Sequence, residues 1–294
     1  MTASNRFRWA PRLALGLMLA VCAVPPAGAS ADTTRALLPL LGWSGKLRII
    51  PSAAARVLRL PALERFFGSK SVDLDPGFHD AEMSAPDGES LRLFSLVPFS
   101  DKARGKLGEY RLGTWPGERT GNEDLPEGFL PVTRANADLA VSKRFRLSDF
   151  MTHDQVGVWP KYVVLEPRLL DKLELLADAL EAAGRSGRLV VMSGFRTPQY
   201  NAQGVGRRGG RAKDSQHMYG NAADVFVDGN GDGRMDDLNR DGRVNRADAQ
   251  WLLALAERVE TAQPGLIGGL SAYKPTKAHG PFLHVDVRGV RARW

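Results

Sequence analysis

Cysteine is almost missing from this chain. Its 294 residues hold one, Cys22, so neither a disulfide framework nor a thiolate metal centre is open to it. Any metal site must use histidine and carboxylates. Histidine is scarce too, with five residues, at positions 79, 153, 217, 279 and 284. No Lys/Arg run is long enough to suggest nucleic acid as a partner. The most apolar run, "LALGLMLAVCAV" (Leu13 to Val24), falls short of the about 20 residues that span a bilayer.

That run reads as part of an address. Arg6, Arg8 and Arg12 precede it, and "AGASA" (Ala27 to Ala31) follows with small residues at the spacing of a signal-peptidase site. The expectation is a signal peptide over 1–31, cut after Ala29 or Ala31, and an exported protein of the periplasm or cell envelope with no stable membrane span. Val21 stands before Cys22 where a lipoprotein signal needs a small residue, which argues against a lipid anchor. The formal charge of +7, less three arginines in that segment, leaves +4. This mild basic excess suits an anionic partner such as a wall polymer or a membrane surface. A mature chain of about 260 residues without disulfides is long enough to hold itself by its core.

Residues 32 to about 70 show helix-like spacing interrupted by Pro61. From Glu89 to Phe99 and from Gly108 to Glu118 the pattern alternates like strands, with Gly and Pro turns. These predict a small β-rich N-terminal module over 32–117, followed by a polar linker over 118–144 that partly wraps the next domain. The second domain, 145–294, mixes helices and strands without regular βαβ alternation. The fold class expected is therefore α+β: a small antiparallel sheet flanked by helices around a metal cleft. "PRLLDKLELLADALEAAG" (Pro167 to Gly184) is the clearest helix, with Pro in its first turn, Gly at its end and a wide leucine stripe. Strands are expected at Leu189–Met192, Ala222–Val227 and Gly280–Gly289, and a second amphipathic helix at Ala247–Ala262.

His284 and Asp286 in "FLHVDVR" are two apart and leave one face of a strand. His217 sits in a Gly-rich loop and Asp224 enters a strand. Two histidines and an aspartate from separate elements can form a three-ligand zinc site whose fourth corner stays open for water, the catalytic arrangement. Spacing alone says no more than that.

Four stretches in order, "SGFRTPQYN" (Ser193 to Asn201), "SQHMYGNAADV" (Ser215 to Val225), "GGLSAY" (Gly268 to Tyr273) and "FLHVDVRG" (Phe282 to Gly289), resemble the zinc D-Ala-D-Ala carboxypeptidase family. That family shares its metal centre with other peptidoglycan endopeptidases and with the Hedgehog signalling domain. The resemblance covers roughly Phe145 to Trp294. Its S-x-H-x-x-G-x-A-x-D pattern reads here Ser215, His217, Gly220, Ala222, Asp224 without a departure. The resemblance implies zinc on His217, Asp224 and His284. It implies that Arg196 lies by the substrate, polarising the scissile carbonyl or holding a carboxylate, and that Ser215 binds a terminal carboxylate. Tyr273 joins the substrate-binding set.

The general base departs from the family pattern. Where many relatives carry a Glu three residues before the last ligand this chain has Pro281, and where others carry a His two before it has Phe282. The nearby acid is Asp286, expected either as base or as the group that orients His284. An inverted assignment, Asp286 as third ligand and His284 as base, also fits the spacing. The mechanism implied is metal-assisted hydrolysis of an amide in peptidoglycan stem peptides or cross-links. The alternative is a catalytically silent, metal-bearing wall-binding module.

Directly after the Asp224 strand come two overlapping EF-hand-like patterns. Asp237, Asn239, Asp241, Asn245 and Asp248 stand at positions 1, 3, 5, 9 and 12 of one loop, with Gly242 at 6 and the main chain of Arg243 at 7. It is similar to the calcium loops of dockerin modules. Asp228, Asn230, Asp232 and Asp236 start a first loop that has Asn239, not an acid, at its twelfth position. The expectation is one calcium site in the second loop and a lesser one in the first. Calcium there would stiffen the insertion beside the cleft.

Overall fold

The computed structural model describes residues 47–50, 77–81, 91–120, 125–206 and 210–294, with side chains from residue 96 onward. The expected signal segment, and most of the stretch with helix-like spacing, lie outside the described residues.

The described elements run in the order β1 (Leu47–Ile50), β2 (Gly77–Ala81), β3 (Leu91–Ser95), β4 (Val97–Pro98), β5 (Lys106–Leu107), β6 (Tyr110–Arg111), β7 (Gly128–Val132) and β8 (Lys161–Val163). There follow α1 (Pro167–Ala182), β9 (Arg188–Ser193), α2 (Pro198–Ala202), β10 (Ala222–Asp228), α3 (Arg246–Ala262), β11 (Gly269–Tyr273), β12 (Phe282–Asp286) and β13 (Ala292–Arg293). The architecture mixes helices with small, mostly antiparallel sheets. The largest has five strands in the order β13-β11-β12-β10-β9, antiparallel except where β13 joins β11. Smaller sheets are β1-β3-β2, β4-β7-β8 and β5-β6. No helix among the described residues is long and apolar enough to cross a membrane.

α1 begins where Pro167 needs no amide partner and the Glu166 side chain accepts from the Arg168 amide. Past its end, Gly184 takes a positive φ of 68°, the left-handed turn that glycine adopts without strain. Leu169, Leu170, Leu173, Leu176 and Leu180 are buried as the stripe predicts, but Leu175 is only half-buried and Lys172 is fully enclosed. α3 opens with a reciprocal cap between Asn245 and Asp248 and buries Ala249, Leu252, Leu255, Ala256 and Val259. It packs on β11 and β12, and α1 packs on α3.

One core runs through the side-chain-described part of the molecule. Leu96, Leu112, Trp115, Phe129 and Val141 belong to the same cluster as Leu173, Val225, Leu252 and Val285. Within 118–144, Phe129, Leu130, Val132 and Val141 are buried in that core. "GFLPV" of β7 is a short apolar run buried at all but one position, and such a run has no period to detect.

Candidate metal centre

Register and turns bring the candidate ligands together. β10 and β12 pair so that Asp224 lies directly opposite His284. On its other side β10 meets β9 with a register shift between Asp224 and Val225, the kind of irregularity that re-aims a side chain. His217 arrives on a single 3-10 turn, Gln216–Tyr219. That turn stops at Gly220, φ 67°, where an added side chain would strike the Val164 carbonyl.

The inward-facing atoms are close. His217 Nε2 stands 3.3 Å from Asp224 Oδ1, His284 Nδ1 stands 3.0 Å from the same oxygen, and the two ring nitrogens are 3.3 Å apart. All three residues are buried, and they are the metal-capable His/carboxylate group found among the described residues. Ligands about 2.0–2.2 Å from a tetrahedral zinc stand roughly 3.3–3.5 Å from one another. The residues present therefore fit the ion.

Their outward atoms are held as ligand histidines require. His217 Nδ1 lies 2.7 Å from the Gly194 carbonyl. A carbonyl only accepts, so Nδ1 carries the proton and Nε2 keeps its lone pair inward. His284 Nε2 lies 3.2 Å from Asp286 Oδ2, which fixes that ring in the same sense. Gly194 comes this close because it has no side chain: a Cβ there would meet Phe150 Cα at 2.7 Å.

Asp286 is fully buried. It accepts from the Gly269 amide at 2.6 Å, from the Arg288 amide at 3.1 Å and from the Arg288 guanidinium in a fork. Arg196 does the same for Asp224, pairing its guanidinium with Oδ2 while its Nε donates to Ser193 Oγ at 2.9 Å.

Burial pushes the His217 pKa down, which favours the neutral imidazole a metal needs. Burial would lower His284 as well, but its bonds to Asp224 and Asp286 outweigh that and raise it. For Asp224 burial acts upward, yet His217, His284 and Arg196 together hold the carboxyl well below the usual range. Asp286 is likewise held low against its burial, by His284, Arg288 and the Gly269 amide. Both carboxylates stay ionised.

The other residues singled out from the sequence are spread around this cluster. Ser215 is buried at the start of the 3-10 turn, its carbonyl accepting from the Met218 amide at 2.9 Å. Tyr273 ends β11, stacks on Phe282 at 4.6 Å and accepts from Trp294 Nε1 at 2.8 Å. His279 is half-buried and edge-on to Phe282. His153 faces the Met192 carbonyl at 2.9 Å.

The acidic loop folds back on its own main chain. Asp228 accepts from the Gly231 and Gly233 amides, Asp232 from Arg234 and Asp236 from Gly229. Asn230 accepts from the Asp232 amide. Asp237 accepts from Asp241 and Gly242, Asn239 from Asp241 and Asp241 from Arg243. Asp248 is fully buried and takes three amides, those of Leu238, Asn239 and Asn245, while Asn245 caps α3 through Ala247.

Four residues that shape the site escaped the sequence reading. Arg288 continues the alternation His284, Asp286, Arg288 along one strand face, a period-2 signal that was there to find. Trp115 donates from Nε1 to the Met218 carbonyl at 2.9 Å, bracing the His217 turn across 103 residues of chain. Lys172 donates to Glu260 Oε1 at 2.6 Å and to the Asp286 carbonyl at 2.7 Å, so a buried ion pair anchors the end of β12. Trp294 lies against His284, ring centroids 5.3 Å apart. The last three are contacts across distant segments and leave no local pattern.

A search of curated proteins and a search of solved structures each return no match. One family model does match, over residues 153–244: Peptidase_M15_2, described as peptidoglycan L,D-endopeptidase MepK. The matched stretch contains Arg196, Ser215, His217 and Asp224, and with the His/Asp cluster it is consistent with a zinc peptidoglycan peptidase family.

Proposed function

We propose that the chain is an exported zinc metallopeptidase that hydrolyses D-Ala-containing amide bonds in peptidoglycan stem peptides or cross-links. His217, Asp224 and His284 are its zinc ligands in this reading. The observation that carries it is the convergence of three buried ligand atoms at mutual distances of 3.0–3.3 Å, with both imidazoles held from outside. Zinc, when bound, supplies a Lewis acid that polarises the scissile carbonyl and lowers the pKa of water.

The chain's own groups do the rest. Asp224 would hold the ion through Oδ1, the oxygen that faces His284, while Arg196 pairs with Oδ2 and keeps the carboxylate in one orientation. Gly194 and Asp286 hold the two imidazole N–H groups outward. Of the roles open to Asp286, orientation of His284 fits its place: it is enclosed, saturated by Arg288 and on the far side of the ring from the cluster. Ser215 and Tyr273 are assigned to substrate. The Tyr273 hydroxyl accepts from Trp294 and so keeps its own hydrogen to donate.

Endopeptidase action is favoured over carboxypeptidase action. Arg196 and Arg288 are both turned to carboxylates of the chain itself, so neither is free in this geometry to hold a substrate's terminal carboxylate. The matched family is described in the same terms. Calcium in the second acidic loop is part of the proposal as a brace: each carboxylate there accepts amides through oxygens that keep a further lone pair for a hard cation.

The test is digestion of purified cross-linked muropeptides by zinc-replete protein, against His217→Ala. Split cross-links from the wild type and none from the variant support the reading. Released D-Ala without split cross-links points to carboxypeptidase action. No product from zinc-loaded protein leaves the silent wall-binding module.

A further inference from the structure

Trp294 is placed unlike the other aromatic side chains around the cleft. Its ring packs on the ligand His284 at 5.3 Å, the Arg288 guanidinium lies 5.4 Å from its centroid, and its Nε1–H is spent on the Tyr273 hydroxyl. Yet it is 53 % exposed, whereas Phe282 in the same array is buried. The contacts link His284, Trp294, Tyr273, Phe282 and His279 in turn. Since the one polar atom of the indole already has a partner, what it offers to solvent is hydrocarbon. Such a surface packs best against an apolar group such as an alkyl chain.

Distance limits which alkyl group. Successive residues of an extended peptide advance by about 3.3–3.6 Å, so a ring in contact with a ligand imidazole reaches the residue beside the reacting amide. It does not reach a sugar several bonds away. We propose that Trp294 is a substrate-binding residue whose exposed indole packs against the alkyl side chain flanking the scissile bond, and that it thereby selects stem-peptide sequence. This rests on the peptidase reading above.

The test uses the full zinc-loaded chain and pairs of synthetic stem peptides that differ in having an alkyl residue or glycine beside the scissile amide, on each side in turn. One or more methylene groups in an apolar pocket discriminate by about tenfold or more. Trp294→Ala is expected to lose roughly tenfold in kcat/KM on the alkyl peptide, mainly through KM, and little on the glycine peptide. Trp294→Phe, which keeps a ring but not the bond to Tyr273, is expected to recover most of the loss. Zinc content stays at the wild-type level in both. Equal losses on the two peptides, or zinc lost together with activity, would overturn the proposal and make Trp294 a structural prop for His284. If the wild type binds zinc but cleaves nothing, it is the peptidase reading that fails. Calorimetric affinities of the same peptides for wild type and Trp294→Ala then decide the Trp294 proposal by the same pattern, support coming from a loss confined to the alkyl peptide and refutation from no difference.

Discussion

The His217–Asp224–His284 cleft and the acidic loop that follows it are written in the same alphabet and use it in opposite ways. In the cleft, three side chains from a turn and two strands point their acceptors at one another, and nearby groups hold their backs. In the loop, Asp228, Asp237 and Asp248 point at main-chain amides a few residues away. Ligand-type residues close in sequence satisfy their own backbone first. Residues brought together across 60 or 67 positions have no such local outlet. Their mutual crowding of acceptors is stabilised by Arg196 and, in the proposal, by a cation.

Mutations should separate the two regions. The largest effect is expected for Asp224→Ala, which in the proposal removes a ligand and leaves the largely enclosed Arg196 guanidinium without its carboxylate. Bound zinc should fall to near zero by metal analysis, with a stability loss of about 3 kcal/mol or more in denaturant unfolding. Retained zinc would mean that the cleft is not the site. Asp286→Ala should weaken zinc by about 10–100-fold, measured by competition with a chelator, with hydrolysis restored by excess zinc. Failure of excess zinc to restore it would return Asp286 to a direct chemical role.

In the loop, Asp248→Ala strands three amides and should cost about 1–3 kcal/mol of stability while leaving zinc affinity unchanged. If calcium binds, it should raise the melting temperature of the wild type and not of this variant. A zinc defect in the variant would erase the contrast between the regions.

The smallest expected effect is a matter of pH. Amides of Gly233 and then Gly231 hold the Asp228 carboxyl below its ordinary value of 3.8. A depressed folded pKa stabilises the loop above 3.8 and ceases to do so as pH falls through the folded value. NMR titration should show Asp228 protonating below that point, together with loss of amide protection at Gly231 and Gly233.

Much of the fold near the cleft can be read from local pattern. Pro167, Gly184 and the leucine stripe mark α1, and the apolar run at 222–227 marks β10 within a residue. The candidate ligands are legible because the Ser215-to-Asp224 spacing is dense in constrained residue types. What local pattern does not carry is direction and depth. Lys172 sits among leucines and reads as a helix-surface lysine, yet it is enclosed because Glu260 lies 88 residues on. Asp286 reads as a base, an orienter or a third ligand, and its fork from Arg288 is a contact that local pattern does not carry. Residues 118–144 read as polar chain with little periodicity, and "GFLPV" is too short to show how deeply Phe129, Leu130 and Val132 sit in the core with Trp115.

The account turns on where the metal sits, and diffraction at the zinc absorption edge from zinc-loaded crystals measures that directly. The account predicts one anomalous peak about 2.0–2.2 Å from His217 Nε2, His284 Nδ1 and Asp224 Oδ1, with Asp286 touching only His284 and Arg288. A peak on Asp286, or a peak in the acidic loop with none in the cleft, would contradict it.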